Sequence, residues 1–304
     1  MEHKHIPVLV EEVMACLNCQ PHQTYVDATL GGGGHAIEIL ERTAPEGRLI
    51  GVEWDEDAIS EARKRLLPFG ERVTLFHENY AQLPELLKAM NIEQVDGILL
   101  DLGLSSIQLE ESERGFSFKG QGPLDMRMDR RRSRTAADLV NRLPLKDLEQ
   151  IIFEYGEERW ARRIAKSIVF EREKSPIRTT EELRKIVYRA IPGRFRSHRI
   201  DPSTRTFQAF RIAVNEELKN LKEILETGWR LLKRGGRMCV ISFHSLEDRM
   251  VKEAFRRLEK GETDSSGQGA LMRRLTKKPV TPSEEVCVRN PRSRSAKLRC
   301  AERV

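Results

Sequence analysis

Short apolar runs alternate with amphipathic stretches over the first hundred residues. Thr24 to Ala28 reads as a buried strand, and Ile37, Ile39 and Leu40 then begin a helical face. Leu49-Ile50-Gly51-Val52 reads as a second strand that ends at Glu53. Ala58 to Leu67 is a helix, Val73 to His77 a strand that stops near Asn79-Tyr80, and Leu83 to Ala89 a helix. Gln94 to Asp101 is an apolar strand ending in an acid. Strand and helix in alternation predict a parallel sheet covered on both faces, with ligands gathering at the carboxyl ends of the strands.

The period then changes. From Glu111 to about Asn215 the apolar spacing is helical throughout, clearest over Leu145–Tyr155, Arg159–Arg172 and Thr180–Ile191. Thr180 followed by Glu181 and Glu182 reads as a helix start. The sheet pattern resumes with a long amphipathic helix over Asn215–Leu232, closed by Leu232 to Gly236 as a glycine cap. Arg237 to Phe243 is the next strand and runs into His244, followed by a helix over Met250–Leu258 and a serine–glycine stretch, Ser265 to Gly269, read as a mobile loop. Val286–Val288 and Ala296–Ala301, joined by the basic turn Asn290-Pro291-Arg292-Ser293, predict two closing antiparallel strands. The expected organisation is an α/β core built from residues 1–110 and 215–304, interrupted by an all-helical insertion at 111–214.

Charge sharpens this division. The 304 residues carry a net charge of +6. Residues 1–110 hold 8 basic and 19 acidic side chains, 111–214 hold 24 and 15, and 215–304 hold 21 and 13. An acidic first third followed by basic segments points to a polyanionic partner on one side of the molecule. Hydrophobic content of 39% against 33% charged residues fits a globular chain. No apolar run approaches membrane-spanning length and no signal-peptide core opens the chain, so a cytoplasmic location without a membrane is expected. Five scattered cysteines argue against a disulfide framework. Cys16 and Cys19 form a C-x-x-C, but no second pair lies nearby, so no metal is expected.

The chemistry begins at Thr29-Leu30-Gly31-Gly32-Gly33-Gly34-His35. Glycines between a strand and a helix let the backbone pass close to a ligand, and the helix N-terminus presents N–H groups to it. An acid at the end of the second strand, Glu53, can accept hydrogen bonds from both ribose hydroxyls of an adenosine cofactor. Gly31, Gly33 and Ala36 also fit the permissive dinucleotide fingerprint, so this spacing leaves a nicotinamide dinucleotide and S-adenosylmethionine open. The antiparallel ending favours a class I methyltransferase sheet over a dinucleotide-binding one.

Motifs along nearly the whole chain, from His5-Ile6-Pro7-Val8-Leu9 onward, carry a specific resemblance. They include D-A-T-L-G-G-G-G-H at 27–35, G-I-L-L-D-L-G-L-S-S at 97–106, R-G-F-S-F at 114–118 and P-L-D-M-R-M at 123–128. Y-G-E-E-R at 155–159, T-R-T-F-Q-A at 204–209, S-F-H-S-L-E-D-R at 242–249 and N-P-R-S-R-S at 290–295 complete them. The chain resembles the RsmH (MraW) family, which methylates the N4 amine of a cytidine in bacterial small-subunit ribosomal RNA. The resemblance implies a class I, Rossmann-like S-adenosylmethionine-dependent methyltransferase fold. It implies the cofactor at Gly33, Gly34, His35, Glu53, Tyr80, Asp101 and Gln108. Aspartate and phenylalanine are common family forms at the positions of Glu53 and Tyr80; glutamate still offers two oxygens and tyrosine still stacks. It also implies small-subunit ribosomal RNA as partner; recognition by a flat helical surface favours an assembled or late-assembling subunit, and a homodimer is compatible with it.

The exocyclic amine of cytosine is a poor nucleophile, because its lone pair is delocalised into the ring. An enzyme must therefore position an in-line transfer and draw that pair out with hydrogen-bond acceptors. Amino methyltransferases commonly carry an (Asp/Asn/Ser)-Pro-Pro-aromatic loop after the fourth strand; this chain has Asp101-Leu102-Gly103-Leu104-Ser105-Ser106. Asp101 with Ser105 or Ser106 is expected to contact the methionine end and the target amine, unless the serines only cap a turn. His244 either orients the base or is a satisfied core histidine. Phe116 and Phe118 either stack on a base or belong to a core. Arg127, Arg130, Arg131, Arg132 and Arg134 are expected to meet phosphates, joined from the core by Arg292, Arg294 and Lys297. The target cytidine must leave its stack. A DNA cytosine-N4 or adenine-N6 methyltransferase and a non-catalytic assembly factor that binds the cofactor are the rival readings.

Overall fold

The computed structural model describes residues 7–105, 108–109, 111–117, 120–196, 201–261 and 269–304. In chain order the elements begin with α1 (Val10–Leu17), β1 (Thr24–Asp27), α2 (Gly34–Arg42), β2 (Arg48–Glu53), α3 (Glu56–Leu66), β3 (Val73–His77), α4 (Leu83–Ala89) and β4 (Val95–Asp101). Helices α5 (Ala136–Arg142), α6 (Leu145–Gly156), α7 (Ala161–Arg172), α8 (Thr180–Ala190), α9 (Thr204–Asn215) and α10 (Glu217–Thr227) follow. The chain closes with β5 (Leu232–Ser242), α11 (Ser245–Lys260), β6 (Met272–Arg274), α12 (Glu284–Arg289) and β7 (Lys297–Arg303). It divides into two compact units: residues 1–105 with 218–304, and residues 106–217.

The first unit is built on one seven-stranded sheet in the order β3-β2-β1-β4-β5-β7-β6. Strands β1 to β5 run parallel, β7 runs antiparallel to β5, and β6 antiparallel to β7. The central strands are apolar along their whole length because helices cover both faces: Val26, Ile50, Val52, Ile98, Leu99 and Leu100 are all buried. The strand order reverses between β1 and β4, which makes the carboxyl ends of those two strands the topological switch point. No helix among the described residues is long and apolar enough to cross a membrane.

Among its described residues the second unit is helical, apart from a lone bridge between Pro123 and Thr179. Helix α8 shows how sequence sets these elements. Thr179 caps it by accepting from the Glu182 N–H at 3.2 Å, while the Glu182 carboxylate accepts from the Thr179 N–H at 3.0 Å. Leu183, Ile186, Val187 and Ala190 then recur at helical spacing and are buried.

Several boundaries differ from the sequence expectation, each for a local reason. The cap of α8 is Thr179, not Thr180, whose hydroxyl instead donates to the Gly120 carbonyl. The expected helix over Asn215–Leu232 is broken at Glu216, which takes a left-handed conformation with φ 54°. Two side chains fix that break. Asn215 bonds the Met126 carbonyl and the Met128 N–H, and Arg211 forks onto Glu217. Leu232–Gly236 does not cap a helix: it is the start of β5, and the positive φ of Gly235 accompanies a register shift against β4. Val286–Val288 is not a strand. Ser283 caps α12, and Glu284 and Glu285 fill its first turn. The strand that closes the sheet against β7 is Met272–Arg274 instead. The serine–glycine stretch lies outside the described residues except for Gly269.

Candidate active site

Strands β1, β2 and β4 each end in an acid: Asp27, Glu53 and Asp101. Register places Asp27 level with Gly51 on one side and Leu99 on the other, so Glu53 and Asp101 both reach two residues further along the same edge. The glycine turn passes between them and is tied to both neighbours. Ala28 N–H donates to Leu99 O at 2.9 Å and Leu30 N–H to Val52 O at 3.0 Å. Gly31 N–H donates to Glu53 Oε2 at 2.7 Å, and Thr29 Oγ1 accepts from the Asp101 N–H. The turn closes with Gly33 N–H on Leu30 O at 2.8 Å. Gly33 has φ 80° and precedes α2 without any side-chain cap, so the first turn of that helix is left to bind by its backbone. Gly34 is glycine for packing: a Cβ there would lie 2.4 Å from Pro7 Cγ.

The electrostatics of this edge are unusual for a strand-end cluster. Burial pushes the carboxyls of Asp27 and Glu53 up to about 7. Burial holds Asp101 well above the ordinary carboxylate range, and the nearby charges of Asp27 and Glu247 add to it. Asp101 Oδ1 is covered and has no hydrogen-bond partner among the described residues. Three crowded carboxyl groups and an unsatisfied oxygen make a site that a cationic ligand with donor groups would relieve. The sequence reading missed Asp27; the signal was an acid closing the strand just before the glycine run.

His35 sits against Asp101. Its Nε2 lies 3.0 Å from the Val8 carbonyl, which can only accept, so Nε2 carries the proton. Nδ1 therefore faces Asp101 Oδ2, at 3.6 Å.

Beside Glu53, the rings of Trp54 and Tyr80 lie 6.2 Å apart and tilted by 52°. Tyr80 begins a short turn whose cap is Asn79, accepting from the Ala81 N–H at 2.8 Å. Trp54 was also missed; it is the aromatic residue directly after the acid. The Glu53 carboxylate meanwhile accepts from the Asp55 N–H at 2.9 Å, which fixes its direction.

The remaining expected residues are more dispersed. Ser105 is half-buried at the end of the first unit, while Ser106 and Phe118 lie outside the described residues. Gln108 and Phe116 belong to the second unit and are buried there. His244 is the cap of α11: its Nδ1 accepts from the Glu247 N–H at 3.3 Å, and Glu247 Oε2 accepts from the His244 and Phe243 N–H groups. Its Nε2 lies 3.1 Å from Glu247 Oε1 at an angle that makes no hydrogen bond.

Three arginines of the run are engaged by neighbouring acids and carbonyls. Arg127 forks onto Asp125 and holds the carbonyls of Arg130 and Arg132; Arg131 pairs with Asp129, and Arg132 with Glu216. Those guanidiniums tie a loop together, since the sequence places an acid two residues before Arg127 and Arg131, at Asp125 and Asp129. Arg130, Arg131 and Arg134 are exposed, and further exposed cations stand on α7 and α8, as Arg162, Arg163, Lys166, Lys185 and Arg189. Exposed aromatic rings are interleaved with cations there, with Lys174 Nζ 3.8 Å from the Phe170 ring centroid and the Arg196 guanidinium 4.0 Å from that of Tyr188.

Five parallel strands with a switch at β1/β4, an antiparallel β7 inserted between β5 and β6, and a glycine turn beside strand-end acids define a class I methyltransferase. The sequence model of the MraW methylase family matches residues 2–304. The chain is 51% identical to the ribosomal RNA small subunit methyltransferase H of Syntrophus aciditrophicus, covering 99% of this chain and 98% of that protein. It is 52% identical to the protein of that name from Geobacter sp. strain M21, again over 99% and 98%. With the Geotalea daltonii protein of the same name it shares 51% identity over 100% of this chain and 99% of the other. The chain belongs to the MraW methylase family.

Proposed function

We propose that the chain transfers a methyl group from S-adenosylmethionine to the exocyclic N4 amine of a cytidine in small-subunit ribosomal RNA. The observation that carries the reading is the buried Asp27, Glu53 and Asp101 cluster around the glycine turn, with Asp101 Oδ1 unpartnered. Full-length relatives named for small-subunit ribosomal RNA support the substrate, and the motif resemblance supports the cytidine amine.

The residues fit the cofactor. Glu53 has lone pairs left for ribose hydroxyls, Trp54 and Tyr80 offer ring faces for an adenine, and the first turn of α2 offers N–H groups. Asp101 answers a cationic methionine end. When bound, the cofactor supplies an electrophilic sulfonium methyl. The protein's part is orientation and charge. Asp101, once ionised beside a cation, accepts from an amine N–H and draws the lone pair toward reaction. Ser105 stands four residues on and would align the same amine. The methylated amine is strongly acidic, so its proton needs only a weak base or water.

RNA would be met by the outward face of α7 and α8, where exposed cations and rings alternate. Cations neutralise phosphates, and the rings stack on extruded bases. The partner is proposed as an assembled or nearly assembled small subunit, since a flat helical face suits a structured surface.

The test is transfer of labelled methyl to undermodified small subunits, free small-subunit RNA and DNA in parallel, followed by nucleoside analysis. N4-methylcytidine from either ribosomal substrate is the expected product. Label in DNA alone, or cofactor bound without any transfer, would overturn the proposal.

A further inference from the structure

Cys16 and Cys19 drew attention as a C-x-x-C, yet in the fold Cys16 meets two cysteines far away in sequence. Cys239 is in the middle of β5 and Cys300 in the middle of β7, directly opposite each other. The Cys300 N–H donates to Thr276 Oγ1 at 2.8 Å, and its carbonyl accepts from the Leu275 N–H at 2.9 Å. Its backbone groups thus point away from β5, the kind of antiparallel pair in which side chains approach most closely. The two sulfurs are 3.4 Å apart. The sulfur of Cys16, on α1 above this face, completes a trio in which all three sulfurs lie within 4.8 Å of one another.

The trio is built and held. Cys239 and Cys300 are fully covered, while Cys16 is half-buried and gives a way in. Val13, Leu17, Ile241 and Leu298 line the surroundings and belong to the same core. Arg237 anchors α1 by donating to the Cys16 carbonyl at 3.0 Å, and is itself oriented by Glu302 at 3.0 Å. Three separate elements therefore aim three sulfurs at one point, with a guanidinium alongside.

We propose that Cys16, Cys239 and Cys300 form a three-sulfur site for a soft divalent metal ion of the zinc and cadmium class. Thiolates select soft ions over magnesium or calcium, which need oxygen ligands. Three thiolates with a divalent ion leave one negative charge, which the neighbouring Arg237 opposes. The thiol protons go to solvent as the metal–sulfur bonds form, so apparent affinity rises with pH. The site lies in the sheet away from the strand-end carboxylates and does not rest on the reading of the active site.

The test is titration of the reduced full-length chain with Cd(II) alone, followed by sulfur-to-metal charge-transfer absorption, with Zn(II) as competitor. One ion per chain is expected, with slowed alkylation of Cys16 and a raised melting temperature. Loss of even a ligand's supporting partner costs about 10–100-fold in metal affinity, so Cys16→Ser should weaken binding by at least that factor. Cys16 is half-buried, so this variant avoids the core damage that Cys239→Ser would bring. Cys19→Ser should bind as the native chain does. Unchanged binding in Cys16→Ser, loss of binding in Cys19→Ser, or no metal-dependent absorption would overturn the proposal.

Discussion

Glu53 is oriented before any ligand reaches it, because the Gly31 and Asp55 N–H groups already hold its two oxygens. Its carboxyl keeps a proton up to about pH 7 all the same, because burial outweighs those bonds. Two pH effects of opposite sign follow. In the ligand-free chain, Asp27 and Glu53 bind more protons folded than unfolded between the ordinary carboxylate range and pH 7. Unfolding free energy should therefore fall as pH rises through that window, which urea titrations at a series of pH values would show. Ribose hydroxyls donate best to the ionised acid, so cofactor affinity should rise as pH climbs to about 7, at most tenfold per pH unit for one group, and then level off. Calorimetry with S-adenosylhomocysteine would read this, and Glu53→Gln should flatten the profile and weaken binding by about 1.5–3 kcal/mol. Gly33 makes a separate case. A Cβ there finds ordinary contacts with Leu66 and Ala62 at 3.5–3.6 Å, so Gly33→Ala should cost about 1–2 kcal/mol through its left-handed backbone alone. A larger loss in urea unfolding would mean a packing role. Glu53, Asp101 and the glycine turn were legible because strand ends and glycines leave marks in one dimension. Asp27 was not, because the apolar run was read through it to Ala28 and the acid sat inside the expected strand; Trp54 was not, since a lone aromatic after a strand has no periodic signature.

At the scale of elements, His244 shows how a motif can conceal a structural task. It reads as a catalytic candidate after a strand, yet its ring caps α11 and shares a reciprocal box with Glu247. His244→Ala should cost about 1 kcal/mol in unfolding free energy, and His244→Asn, a good capping residue, should recover most of it. If Asn restores stability while turnover on ribosomal substrate stays far below native, the ring has a role beyond the cap. Turnover that returns with stability would leave capping as the whole role. Helix cores and parallel strands were readable from periodicity. The break at Glu216 was not, because it depends on Asn215 reaching Met126 and Met128, residues nearly ninety positions away in sequence. Strand β6 escaped for a simpler reason: three residues are too few to carry a period.

Across the whole molecule, the charge split marks a basic segment, and the structure distinguishes its paired cations from its exposed ones. Arginines at 127, 131 and 132 are occupied by Asp125, Asp129 and Glu216, whereas Arg162 and Arg163 are exposed. Arg162→Glu with Arg163→Glu should weaken RNA binding and lower the slope of log affinity against log salt by about 2, near one unit per phosphate contact. Filter binding over a salt series checks it, and Arg131→Glu should change the slope less. The insertion also has a consequence in time. Strands β4 and β5 are neighbours in the sheet, but the whole helical unit is translated between them. At roughly 5–20 residues per second, β4 waits on the order of ten seconds for its partner. For that interval the apolar segment Gly97-Ile98-Leu99-Leu100 ends a half-made sheet with an open edge, the arrangement most prone to pair with another chain. A growing chain of this kind is most open to edge pairing in one predictable window, after the switch-point strand has emerged and before Leu232 follows it.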